Sequence, residues 1–137
     1  RMLNNNYSFP IRVYYQDTDA GGVVYHSTHL DFMERARYEW LRELGFDVNS
    51  LTQIHKVLFM VRSLEIEYVK PAVLDDLLNV TVQVSQIGRS RITIVQEILC
   101  AHTKLVNATV HIVSVGADSL KPLSVPAPLR QKIGELV

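Results

Sequence analysis

The sequence predicts an α+β fold: a five-stranded antiparallel sheet with one face covered by a single long helix. Two observations point there. One segment with helical apolar spacing follows a first strand-like run, and four further runs then alternate at strand period with no helical segment between them. Short turn signals join those four runs, which favours an antiparallel sheet over parallel crossover units.

Phe9, Ile11, Val13 and Tyr15 alternate with Pro10, Arg12, Tyr14 and Gln16, the period of a first strand. Asp17 and Asp19 continue the phase of Tyr15. In a persisting strand both acids would face the apolar side, an expensive place for a carboxylate. Either the chain leaves the strand there or the acids are kept for chemistry. The helix is expected over about 28–44, with Ser27 or Thr28 as its cap, Asp31 and Glu34 early and Arg42 late, in agreement with the helix dipole. Leu30, Met33, Ala36, Trp40, Leu41 and Leu44 form its apolar stripe, and Gly45 is its stop.

Residues 57–69 form the next run, with Leu64, Ile66 and Tyr68 on one phase, and Pro71 ends it. Asp75-Asp76 opens a strand carrying Val80, Val82 and Val84, and Gly88 marks a turn. Ile92, Ile94 and Ile98 make one face of the following strand, with Gln96 the exception. His102-Thr103 reads as a turn before Val106, Ala108, Val110 and Ile112. Pro122, Pro126 and Pro128 break the tail, and a short helix is expected after Pro128.

The 137 residues suit a single domain over 1–137 with a sizeable core. Charge is balanced, 14 basic residues against 14 acidic, so nothing predicts a nucleic-acid or anionic-membrane partner. A lone cysteine, Cys100, excludes an internal disulfide and permits a reducing compartment. No apolar run approaches the roughly 20 residues of a membrane helix. The polar start Arg1–Asn6 lacks an apolar signal core, so no export signal is expected and the expected location is cytoplasmic. An open sheet leaves edges that want partners, so an oligomer is expected.

The most informative stretch is Asp17-Thr18-Asp19-Ala20-Gly21-Gly22-Val23-Val24-Tyr25-His26. It sets an acid, a flexible backbone and a helix N-terminus close together, a combination able to bind a carbonyl and attack it. With Glu34-Arg35-Ala36-Arg37 it resembles the 4-hydroxybenzoyl-CoA thioesterase family of hotdog proteins. The similarity is greatest to the branch of bacterial acyl-CoA thioesterases associated with the Tol–Pal cell-envelope system. Ile66-Glu67-Tyr68-Val69-Lys70-Pro71-Ala72 and Asp75-Asp76-Leu77 add weaker likeness, and the resemblance runs from about Phe9 to Val115. It implies a hotdog fold, hydrolysis of acyl-CoA or acyl-carrier thioesters without metal or prosthetic group, and homodimers or homotetramers with sites between subunits. It also implies that Asp19 is catalytic, that the helix-start amide is that of His26, and that Tyr15 lines the site.

Asp19 can act as a nucleophile forming a mixed anhydride or as a base activating water, and the sequence leaves both open. It can equally be a turn former before glycine. Gly21 and Gly22 permit close backbone approach or simply make a loop, and the amides that follow, through Val23 and Tyr25 to His26, are expected to point at a bound thioester. The His26 side chain can orient water or substrate, and Tyr15 is a site hydroxyl or a core aromatic. Asp17 is expected to pair with Arg35 or Arg37 or to cap the loop. Arg89 and Arg91, beside a turn, suit CoA phosphates, with surface solvation as the alternative. Cys100 reads as buried filler. A non-catalytic module binding acyl-CoA or acyl carrier protein is the main alternative function. A metal hydrolase built on His26, His29 and Asp31 lacks a ligand-spacing motif. A dehydratase on the same fold is a further alternative, because fold alone does not assign chemistry.

Overall fold

The structure, a computed structural model, describes residues 5–136, so the expectation for the polar start falls largely on residues 1–4, outside them. The elements are β1 (Tyr7–Arg12), α1 (Thr28–Glu43), α2 (Val48–Gln53), β2 (Val57–Tyr68), β3 (Leu77–Ile87), β4 (Arg91–Cys100), β5 (Thr103–Gly116) and α3 (Ala127–Gly134). The strands form one sheet in the order β1-β3-β4-β5-β2, every neighbouring pair antiparallel. The α+β architecture expected from the runs is therefore present.

Burial follows the strand period. Val80, Val82 and Val84, then Ile92, Ile94 and Ile98, then Val106, Ala108 and Val110 are all buried on one face. Asn79, Gln83, Thr93, Glu97, Asn107 and Thr109 lie more exposed on the other. Pro10 stands in β1, an edge strand, where a missing N–H costs no ladder bond. Bulges interrupt β2 at Val61/Ser63 and β3 at Val84/Gln86, and each adds local twist to the sheet.

The buried stripe of α1 is His29, Phe32, Met33, Ala36, Trp40 and Leu41. It is rotated from the expected stripe: Phe32 is fully buried, while Leu30 is only half-buried. Ser27 holds the N-cap position in helical conformation with no side-chain cap bond, so the expected hydroxyl cap is not made. Instead the Thr28 N–H donates to the Tyr25 carbonyl at 2.9 Å, a turn that leads into the helix. The C-terminus closes as a Schellman motif. Gly45, at φ 94°, donates to the Arg42 carbonyl, and the Phe46 N–H reaches the Leu41 carbonyl at 2.9 Å.

Gln96 is fully buried on the apolar face of β4. The β3–β4 pairing passes from Val80–Ile98 to Gln83–Val95 and skips the residues between. Side chains fill the gap. The Gln96 amide donates to the carbonyls of Thr81 and Met33 at 3.2 Å, and its oxygen accepts from Arg37 Nη1 at 2.9 Å. Thr81 Oγ1 accepts the Glu97 N–H at 2.8 Å. One polar side chain thus ties α1 to two strands.

The helix α2 was not among the expected elements. Asp47 caps it by accepting the Ser50 N–H at 2.6 Å. The turn between β4 and β5 holds Ala101 and His102 at φ 48° and 70°, the pair of left-handed residues a two-residue hairpin demands. The tail helix α3 begins at Ala127 with Pro128 in its first turn and buries Leu129 and Ile133.

Candidate active site

The chain leaves β1 after Arg12 and turns through a short 3-10 segment, Tyr15–Asp17. The strand phase therefore breaks before the acids. Asp17 is buried and its Oδ2 accepts the Tyr14 N–H at 2.8 Å. It caps the loop, and among the described residues it pairs with neither arginine. Arg37 goes to Gln96, and Arg35 stacks over the Phe32 ring at 5.7 Å. Tyr15 is 82% exposed, which removes the core-aromatic reading of that residue within one chain.

Asp19 stands on a tight turn. Its N–H donates to the Val23 carbonyl at 2.9 Å and its own carbonyl accepts the Gly22 N–H at 3.0 Å. The carboxylate is exposed, with Oδ1 accepting the Gly21 N–H at 2.8 Å. Among the described residues Oδ2 accepts no hydrogen bond. The carboxylate is thus oriented through one oxygen and open at the other. Both glycines matter to this geometry. A Cβ at position 21 would stand 3.2 Å from Asp19 Oδ1, and Gly22 has φ 80°.

Two bridges fix the loop. Thr18 pairs with Val24, and Val23 pairs with Val73 of the β2–β3 connection. The Val24 N–H also donates to the Ala72 carbonyl, and the Tyr25 N–H reaches the Asp17 carbonyl at 3.3 Å. Gly21, Gly22, Val23, Tyr25 and His26 are therefore gathered with Asp19 at one end of the sheet. Arg89 and Arg91 are not. They sit at the β3–β4 turn, one length of β3 away, roughly 30 Å at strand rise.

His26 belongs to an aromatic cluster that reaches beyond the motif. Its ring lies 4.4 Å from that of Tyr25 and 6.1 Å, edge-on, from that of Tyr68. Tyr68 Oη donates to the His26 carbonyl at 2.8 Å. The His29 ring lies 5.7 Å from that of Tyr68. A cleft of about 280 Å³ runs along this cluster, lined by Val24, His26, His29, Tyr68, Val69, Lys70 and Pro71. Asp19 is not in its lining. Among the described residues no three His, Cys, Asp or Glu side chains converge as metal ligands, so His26, His29 and Asp31 do not form a ligand set.

His29 is 2% exposed and its Nδ1 has no hydrogen-bond partner among the described residues. Burial, with His26 nearby as a lesser cause, pushes its pKa below the ordinary histidine value. The fold therefore prefers neutral His29, while the unfolded chain takes up the proton near pH 6.5. Stability from this residue is present above about pH 6.5 and is lost as the pH falls further. In His29→Gln the melting temperature should fall less between pH 7 and pH 5 than in the parent. Parallel profiles would remove His29 from this role. Burial likewise raises the Cys100 thiol, which is half-buried at the end of β4 and keeps its proton at neutral pH.

Sequence reasoning did not single out Tyr68 as part of this place, although it stands in a segment that carried family likeness, and it weighed His29 only as a metal ligand. The comparisons with known proteins agree with the fold. The family model of the thioesterase-like superfamily matches residues 13–133. The acyl-CoA thioesterase YbgC of Haemophilus influenzae is 43% identical over 129 residues, covering 94% of this chain and 95% of that protein. A probable thioesterase from Bartonella henselae superposes with a TM-score of 0.85 at 38% identity, covering 88% of this chain and 99% of the other. A 1,4-dihydroxy-2-naphthoyl-CoA thioesterase from Synechocystis gives a TM-score of 0.88 at 25% identity, covering 96% and 97%.

Proposed function

Because this chain belongs to the thioesterase-like superfamily and is a hotdog thioester hydrolase acting on acyl-CoA, we propose that Asp19 carries the cleavage. The observation that supports this is the half-engaged carboxylate: Oδ1 holds the Gly21 N–H and Oδ2 is open. Oδ2 either attacks the thioester carbonyl or takes a proton from water that does so. Negative charge then develops on the carbonyl oxygen. The helix-start amide at His26 faces that charge with the α1 dipole behind it. The thiolate of coenzyme A leaves, and the acid is released. Tyr15 and the His26 imidazole orient water or substrate, and Gly21, Gly22, Val23 and Tyr25 form the wall along which the thioester lies. A carboxylate, amides and water suffice for this chemistry, so no metal or prosthetic group is called for.

The working unit in this reading is a homodimer or homotetramer. β2 is an edge strand of 12 residues with Met60 and Val61 exposed, a long unpaired ladder. Arg91 lies level with Met60 through Val113, at the opposite end of β2 from Tyr68. Antiparallel pairing of two β2 edges would bring Arg89 and Arg91 of one copy toward the His26 end of the other, where CoA phosphates could meet them. A monomeric mass in sedimentation at micromolar concentration would count against it. In this reading the acyl carrier is CoA or an acyl carrier protein, a cytoplasmic location fits the lone Cys100, and a link to the Tol–Pal system follows from the family resemblance.

The test is a hydrolysis screen over short, long and aromatic acyl-CoAs, with Asp19→Asn alongside. Turnover that depends on Asp19 is expected. Saturable binding with no turnover across the panel would favour a non-catalytic acyl-CoA binding module instead.

A further inference from the structure

Tyr68 is the candidate that the motif does not include and the geometry does. Its ring projects from the last residue of β2, and its hydroxyl donates to the His26 carbonyl at 2.8 Å. That carbonyl lies before the start of α1 and outside the helical ladder. A trans peptide points its N–H opposite to its C=O. Fixing the His26 carbonyl therefore fixes the direction of the Ser27 N–H. Among the described residues neither the His26 nor the Ser27 N–H donates within the protein, while the Thr28 N–H is already held by Tyr25. Two successive amides at the head of the helix are thus left without a partner among the described residues, as helix-start N–H groups are.

The rings reinforce this bond. Tyr68 meets His26 edge-on at 85°, and its ring lies 5.7 Å from that of buried His29. We propose that Tyr68 is a positioning residue for the thioester reaction, its hydroxyl holding the His26–Ser27 peptide so that the Ser27 amide faces the developing oxyanion beside that of His26. The inference rests on the functional reading above and extends it to a second amide, that of Ser27, and to the side chain that aims it. Burial holds the Tyr68 phenol above its ordinary pKa, so it stays a donor at neutral pH.

Parent, Asp19→Asn, Tyr68→Phe and Tyr68→Leu are compared by thiol release on whichever of butanoyl-, dodecanoyl- and benzoyl-CoA the parent cleaves fastest. Tyr68 is 43% exposed, so neither variant opens the core. Tyr68→Phe should lower kcat about tenfold, as the Ser27 amide loses its aim at the developing oxyanion, with KM within about twofold. Tyr68→Leu should match it within about threefold, because the atom lost is the same. An unchanged kcat in Tyr68→Phe overturns the proposal. So does a raised KM at unchanged kcat, which marks a substrate contact. So does a large loss in Tyr68→Leu alone, which marks ring packing. If Asp19→Asn hydrolyses as fast as the parent, the functional reading fails. If Asp19→Asn loses turnover and Tyr68→Phe does not, only the role of Tyr68 fails.

Discussion

Asp19→Asn should fold as the parent does and turn over thioesters about a thousandfold more slowly, within the range lost with a nucleophile or general base. The amide oxygen of Asn can still accept the Gly21 N–H that Asp19 Oδ1 accepts at 2.8 Å, so the turn survives. What the substitution removes is the free carboxylate oxygen, the group that attacks or accepts a proton. Asp19→Ala removes the turn bond as well and serves as the structural contrast. A melting temperature within about 2 °C of the parent, for Asn, is expected for an exposed isosteric change. The measurement is thiol release under saturating acyl-CoA, beside thermal unfolding followed by circular dichroism. Comparable hydrolysis by the parent and Asp19→Asn would end the proposed chemistry. A lower melting temperature with unchanged hydrolysis would return Asp19 to the role of a turn former.

Gln96→Ala should cost about 3 kcal/mol of stability, the largest effect expected away from the loop. Three partners lose their bonds at once: the Thr81 and Met33 carbonyls and the Arg37 guanidinium. Burial already lowers the pKa of Arg37, so its charge is poorly solvated when the Gln96 oxygen is gone. A cavity adds to the loss, since position 96 is fully buried. Gln96→Glu keeps an acceptor toward Arg37 and loses both donations, so it separates the two ends of the amide. Urea unfolding should show a lower midpoint at unchanged slope. A loss below about 1 kcal/mol would mean that water replaces these contacts.

Gln96 also shows where a sequence stops being readable. The alternation Ile92, Ile94, Ile98 exposes it as a polar residue on an apolar face, because strand period is a local property. Its reason for being there is a gap in the β3–β4 ladder and an arginine on α1, both set by tertiary placement. Gly45 is legible for the opposite reason, since a helix stop is written within a few residues. Helix α2 escapes notice because six residues carry less than two turns of periodicity, and its cap at Asp47 is the only local mark. The Asp19 loop is legible as a motif, and so is its place before α1. Tyr68 is not, because a long connection through α1 and α2 separates it from His26, and only the folded chain brings hydroxyl and carbonyl together.

The strand order has a kinetic consequence. β3, β4 and β5 follow one another by tight turns and can zip up as local hairpins. The flanking strands cannot. Tyr7 must find Val82 and Val57 must find Gly116, each across a long stretch of intervening chain. Closing such loops costs entropy before any contact rewards it, and chains rich in distant pairings assemble on slower timescales than local ones. The central meander is thus the natural seed. The outer strands, one of which carries Tyr68 and the other of which feeds the Asp19 loop, join it last, so the end of the molecule that holds both is completed only at the close of folding.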